Sequence, residues 1–265
     1  MKIAIISREK IENRKFWSGT IENSYNILRN SKDINIIKID NLDNNLRKIF
    51  AIKREFLSFF KGEKFDETYN INVSQNYANQ INSKILKQDD LDFILSFDAS
   101  LIAYIKTKIP IIFWTDLLYS DYYKHYFKKE KIYKQTKNSI KVIEKRAVSK
   151  SKYIFLSSSW AINKAKKNYF REKNKFRLMR FGPNFKKKYT KSFIKTKIIS
   201  KQNKVLRLIT LSVDWKRKGV NNLVKLKEII KNKKINVEIL VVGSKNQQLV
   251  NYDKDIKIIN FIDKN

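Results

Sequence analysis

Lys2-Ile-Ala-Ile-Ile-Ser7 is a short apolar run closed by a polar residue, the pattern of a strand buried on both faces of a sheet. The residues that follow repeat the theme. Ser18-Gly19-Thr20 opens a helix running to about Asn30, with Thr20 or Ser18 as N-cap, and Ile34-Asn-Ile-Ile-Lys-Ile39 completes a βαβ unit. Leu42 to Phe60 reads as an amphipathic helix with Leu46, Ile49, Ile52, Phe56 and Phe59 or Phe60 on one stripe, the kind that faces a core, and Ser74 to Leu86 reads as another. Asp92 to Phe97 and Ile109 to Trp114 are further buried strands, with a short helix from Ser100 between them. Lys131 to Lys150 reads as one long basic helix, Lys152 to Leu156 as a strand, Trp160 to Phe170 as a helix, and Phe176 to Phe181 as the last strand of this half. Strand and helix alternate throughout, which defines the α/β class with mostly parallel sheets.

The pattern changes after Gly182-Pro183. Residues 184–204 are Lys-rich and lack clear periodicity, which marks a linker. A second series then starts: strand Val205 to Leu211, helix Asn221 to Lys231, strand Val237 to Val242 closed by Gly243, and strand Ile256 to Phe261. The expected organisation is a first domain over 1–182, a basic linker over 183–204 and a second domain over 205–265. The last is shorter than the roughly 100–150 residues usual for a full doubly wound domain, so it reads as incomplete.

Composition removes several function classes. With no cysteine and a single histidine, His125, the chain has no disulfide framework, no thiolate zinc site and no multi-histidine metal site. Five glycines, of which the nearest two, Gly219 and Gly243, are 24 residues apart, leave no room for GxGxxG or a Walker loop. No apolar stretch approaches the roughly 18 residues of a membrane span, so a cytoplasmic chain is expected. The formal net charge of +33 favours anionic partners: nucleic acid, an anionic membrane face or a phosphorylated substrate. Much of it fits a chain rich in Lys, Asn and Ile throughout, but residues 161–204 hold 16 Lys or Arg against one acid, Glu172. No helix-turn-helix, zinc or aromatic RNA-binding pattern accompanies that charge, which ranks nucleic acid below the other anions.

Ligands of open parallel sheets bind at the carboxyl ends of strands, so the loops after the strands are the candidates. Gly19 serves either to close a turn or to admit a substrate close to the protein backbone. Asp98 and Ser157-Ser158-Ser159 have a capping role as the alternative to a site role, and Trp160 reads as core. Asp116, directly after an apolar strand, is a site residue or a cap, and His125 reads as a surface or half-buried histidine. The sharpest local pattern is Asp214-Trp-Lys-Arg-Lys-Gly219, where Lys216, Arg217 and Lys218 precede a helix amino end, an arrangement suited to a diphosphate or, alternatively, a solvated charge run.

Leu211-Ser-Val-Asp-Trp-Lys-Arg-Lys-Gly219, Leu156-Ser-Ser-Ser-Trp-Ala161, Arg180-Phe-Gly-Pro-Asn184, Trp114-Thr-Asp116, Gly243 and Phe261-Ile-Asp-Lys264 occur in the order of motifs in family 4-type glycosyltransferases of the GT-B fold, which the chain resembles over most of its length. The resemblance implies two Rossmann-like domains and retaining transfer of a sugar from a nucleotide diphosphate donor to a glycan or lipid-linked acceptor, without cofactor or metal. It implies that Lys216, Arg217, Lys218 and Gly219 hold the donor phosphates, that Gly19, Ser158, Gly182 and Gly243 border the substrates, and that Asp116 orients or accepts from the acceptor hydroxyl. The sequence departs from the pattern in its first loop, where only Gly19 stands for a glycine-rich segment, and at Val213, where many members carry a phosphate-binding Arg. The family's acidic donor-sugar motif falls beyond Asn265, so this chain alone is expected to transfer slowly or not at all. A basic α/β protein that binds nucleic acid without catalysis is the alternative, and peripheral association with the inner face of an anionic membrane a third expectation.

Overall fold

Along β1 (Lys2–Ile6), Ala4 and Ile6 point into one hydrophobic cluster and Ile3 and Ile5 into another, so the strand is buried from both sides. The structure is a computed structural model and describes residues 1–88, 90–184, 189–199, 205–215, 217–243 and 255–262. The chain divides into two compact units, Met1–Asn184 and Phe185–Asn265.

In the first unit the chain runs from β1 through α1 (Thr20–Arg29), β2 (Asn35–Ile39), α2 (Arg47–Lys61), β3 (Glu63–Lys64), α3 (Ile71–Ile85), β4 (Phe93–Ser96) and α4 (Ala99–Ile102). It continues through β5 (Ile111–Thr115), α5 (Tyr119–Tyr126), β6 (Lys131–Ile132), α6 (Lys134–Lys150), β7 (Ser151–Leu156), α7 (Ser159–Asn168) and β8 (Phe176–Leu178). Six strands form one all-parallel sheet in the order β2-β1-β4-β5-β7-β8. Short 3₁₀ segments precede α1 and β8.

Several elements differ from the sequence reading. Gly19, in the left-handed region, is the residue before α1, and no side chain caps that helix. α3 starts earlier than Ser74, at Ile71, because the Asn70 side chain accepts from the Asn72 N–H. Lys131 and Ile132 leave the expected long helix to pair with Glu63 and Lys64, braced by Lys131–Glu63 and Lys64–Glu130 ion pairs. The largest difference lies on α2. Its buried residues are Phe50 and Leu57; of the stripe expected against the core, Leu46, just before the helix, packs on it, while Ile49, Ile52, Phe56, Phe59 and Phe60 are exposed.

The second unit contains α8 (Lys191–Ile199), inside the stretch read as an aperiodic linker, followed by β9 (Val205–Leu211), α9 (Val220–Lys231), β10 (Asn236–Val242) and β11 (Ile256–Ile259). Its three strands pair in parallel in the order β11-β10-β9. Val220, Ile239, Val241 and Ile256 form its small core, and the opposite face leaves Ile209 and Leu211 exposed. Lys227 of α9 is fully buried, with its ammonium 3.2 Å from Asp255, which also pairs with Lys231.

Candidate functional site

The strand order of the first sheet reverses direction at β1. β2 is added on one side and all later strands on the other, so the loops after β1 and β4 separate and leave a crevice at their carboxyl ends. A cavity of about 200 Å³ occupies that position, lined among others by Arg8, Trp17, Tyr69, Asp98, Asp116 and Tyr119.

Arg8 lies just past the end of β1, after Ser7. Its Nε lies 3.8 Å from Asp98 Oδ2, and its guanidinium sits 5.0 Å from the centre of the Phe16 ring. Burial works against its charge, but Asp98 and the neighbouring Tyr69 and Tyr77 outweigh it and raise the pKa. Asp98 is held in turn by α4: Oδ1 accepts from the Ser100 N–H and Oγ, each at 2.9 Å. The opposite wall is aromatic. Tyr69 stacks on Tyr119 with ring centres 3.7 Å apart, and Tyr119 and Tyr123 donate to Asp66 Oδ2 at 2.5 and 2.8 Å. Burial first, and the Asp66 charge second, push both phenols well above their ordinary value, so they act as donors and rigid faces. A planar cation, ring faces and a carboxylate at the mouth can bind a hydroxylated, ring-shaped ligand.

Gly19 belongs to an unusual backbone run. Trp17, Ser18 and Gly19 have φ of 50°, 54° and 81°, three consecutive left-handed residues of which only the last is free of strain. A Cβ at Gly19 would lie 3.5 Å from the Arg14 carbonyl oxygen. The run is pinned from the end of the unit. Phe181 packs against Trp17 and Trp114, and the Asn184 amide donates to Ser18 O and Thr20 Oγ1, both at 3.1 Å. Gly182 lies between these two anchors in sequence, with an ordinary φ and nothing within 4 Å of a Cβ built there.

The other candidates divide. Asp116 is exposed at the cavity mouth, where its Oδ1 accepts from the Leu117 N–H at 2.8 Å, so the same carboxylate also closes the turn after β5. Ser158 caps α7, accepting from the Ala161 N–H at 3.2 Å, and does not line the cavity. Trp160 is exposed and edge-on to the exposed His125, not core. In the second unit Gly219, at φ +69°, leads into α9, whose amino end has no side-chain cap. Arg217 is turned back to Asp214, which accepts from its N–H and lies 3.3 Å from its Nε. Lys218 is exposed on the same turn. Gly243, at φ +93°, packs beside Ser212 and Val213 at the end of β9. Lys216, Asp263 and Lys264 lie outside the described residues.

Two residues escaped the sequence reading. Arg8 had a legible cue, its place just after the first strand. Glu144 had none: it sits in a helix that reads as basic, yet it is fully buried and accepts from the Ser120 N–H, Ser120 Oγ and Tyr169 Oη at 2.9, 2.6 and 2.7 Å, fixing α5 behind the cavity wall.

No protein-family model matches the sequence, and no curated protein does. Solved structures do. A structure described as trehalose-6-phosphate from E. coli bound with UDP-2-fluoro glucose is 9% identical, with a TM-score of 0.56 over 100% of this chain and 74% of that one. The lipopolysaccharide outer core galactosyltransferase WaaB in its apo form is 11% identical, with a TM-score of 0.50 over 99% of this chain and 68% of that one. A UDP-N-acetylglucosamine 2-epimerase is 11% identical, with a TM-score of 0.50 over 99% and 69%. At these identities the likeness defines the fold: the chain has the mostly parallel α/β architecture of GT-B proteins.

Proposed function

We propose that the protein is a glycosyltransferase that moves a sugar from a nucleotide diphosphate donor to an acceptor hydroxyl. The observation that carries this reading is the crevice at the switch point of the first sheet, where Arg8, the Tyr69–Tyr119 stack and Asp116 converge on one cavity. Aromatic faces suit a sugar ring, the guanidinium suits its oxygens, and Asp116 stands where an acceptor hydroxyl would be oriented, so this crevice takes a glycan or lipid-linked acceptor. The domain over 1–182 is then the acceptor side and that over 205–265 the donor side, with 183–204 as connection. On the donor side the amino end of α9 offers positive dipole to a diphosphate, with Lys218 beside it, while the Val220 and Asn222 N–H groups donate to the Trp215 and Gly219 carbonyls. Stabilising the charge that gathers on the leaving diphosphate is the rate-enhancing role such groups perform. Arg217 contributes less than Lys218, because Asp214 already engages it. Lys216, Gly243, Gly182, Ser158 and Gly19 complete the proposed substrate-bordering set.

Calorimetry with UDP tests the donor side. Binding that weakens with salt and drops about tenfold when Lys218→Ala and Arg217→Ala are combined is expected. Equal binding by the double variant would remove the loop from the site. Release of UDP from a UDP-sugar that depends on an added glycan, and is lost in Arg8→Ala, is expected of a transferase. Interconversion of the donor sugar without acceptor would assign the fold to an epimerase reaction instead.

A further inference from the structure

α2 carries two apolar faces. One, built on Phe50 and Leu57, packs into the unit beside Phe65. The other is the stripe Ile49, Ile52, Phe56, Phe59 and Phe60, whose side chains are between 52% and 84% exposed. At 100° per residue these five positions fall within an arc of roughly 100°, set apart from the buried face by about a third of a turn. Phe60 contacts both Phe56 and Phe59, with ring centres 4.8 and 5.0 Å apart, so the stripe ends in an exposed aromatic cluster. A contiguous exposed face of this kind is an interaction surface.

The charge around it selects the partner. The helix holds five cations, Arg47, Lys48, Lys53, Arg54 and Lys61, against one acid, Glu55. Arg54 reaches Glu55 and Glu67, whereas Arg47, Lys48 and Lys61 are exposed and form no ion pair among the described residues. No helix of the described residues is long and apolar enough to cross a membrane. Phenylalanines and isoleucines flanked by Lys and Arg on a helix that cannot span are the features of in-plane binding to a charged bilayer surface. We propose that α2 docks the protein on an anionic lipid surface, with Phe56, Phe59 and Phe60 inserted at the headgroup–acyl boundary and the cations on lipid phosphates.

The consequence for the crevice is distance. Lys61 ends α2, and Thr68 and Tyr69 line the cavity, so six residues, 62–67, join the docking helix to it, at most about 25 Å of chain. A docked α2 holds the crevice near the lipid surface.

The test is co-sedimentation with vesicles of phosphatidylcholine alone or with about one third phosphatidylglycerol, at low and physiological salt. It reads binding and not transfer, so its outcome is independent of the proposed reaction. The protein is expected to pellet with the anionic vesicles only. Phe56→Gln with Phe59→Gln should weaken this at least about tenfold, with unchanged circular dichroism because both side chains are exposed. Lys48→Glu with Lys61→Glu should weaken it as well. A Phe59→Trp variant should show a blue-shifted emission component on anionic vesicles and not on neutral ones. Undiminished binding by the Phe56/Phe59 variant would place docking elsewhere in this basic chain and overturn the proposal. So would a lipid-free dimer that the same variant abolishes, because a second copy would then be what covers the stripe.

Discussion

Replacing Glu144 by Ala should destabilise the first unit by about 3–5 kcal/mol. The magnitude follows from what the carboxylate satisfies. It is fully buried and accepts three hydrogen bonds: Oε2 from the Ser120 N–H, and Oε1 from Ser120 Oγ and Tyr169 Oη. Alanine leaves the N–H in the first turn of α5 without its acceptor, opens a cavity of several methylene volumes, and strands two hydroxyls, each loss costing on the order of 1–2 kcal/mol. Glu144→Gln should cost only about 1 kcal/mol, because its amide oxygen can accept from the Ser120 N–H while the two hydroxyls rotate to accept from its NH₂. Urea unfolding followed by far-UV circular dichroism reads both values. Tyr119 and Tyr122, which line the cavity from α5, should also lose their near-UV signal earlier in the Ala variant. A loss below about 1 kcal/mol for Ala, or a Gln variant as damaged as Ala, would refute the view that these three bonds hold α5 in place.

Three further outcomes are expected. Burial raises the Glu144 carboxyl above its ordinary value of 4.5, against the opposing pull of Ser120 and Tyr169. The folded state then binds the proton more tightly than the unfolded chain, so stability falls as pH rises from about 4.5 through the folded value, and the wild-type advantage over Glu144→Gln should shrink across that window in unfolding curves. Gly19→Ala, at φ +81°, should cost about 1–2 kcal/mol in thermal melts, whereas Gly182→Ala, at ordinary φ with nothing within 4 Å, should stay within about 0.5 kcal/mol. Asp255→Ala deprives the buried Lys227 ammonium of its carboxylate and should cost about 3 kcal/mol, while Lys227→Met should be close to neutral because Asp255 keeps Lys231; hydrogen exchange of β10 and β11 separates the two.

Strands were the most legible part of the fold, because a strand buried on both faces must be a short apolar run, as Lys2–Ile6 is; Val205–Leu211 was legible by the same apolar run although it lies at a sheet edge with one face exposed. Helix faces were not. α2 has one narrow apolar face at Phe50 and Leu57 and one broad one at Ile49 to Phe60, and periodicity alone assigns the broader to the core. The two-residue pairing of β3 with β6 joins segments almost seventy residues apart and has no local cue. At the site, Asp116 and the loop to Gly219 were visible because they follow strands. The Arg8–Asp98 pair, the locking of Tyr119 by Asp66 and the pinning of Trp17–Gly19 by Asn184 depend on residues that only the folded chain brings together.

The strand order of the large sheet also bears on how the chain is made. β1 and β2 emerge first and pair with each other, β4 is added at the free edge of β1, and β5, β7 and β8 each at the outer edge left by the sheet strand before. At no stage must a late strand be threaded between two that have already paired. A ribosome releasing residues in order at roughly 5–20 per second would present each new edge to the next strand to arrive, so the sheet can grow during synthesis and each exposed edge is covered in turn. Asn184 is the last residue of that unit, and its bonds to Ser18 and Thr20 close the nascent unit upon the loop made near its beginning.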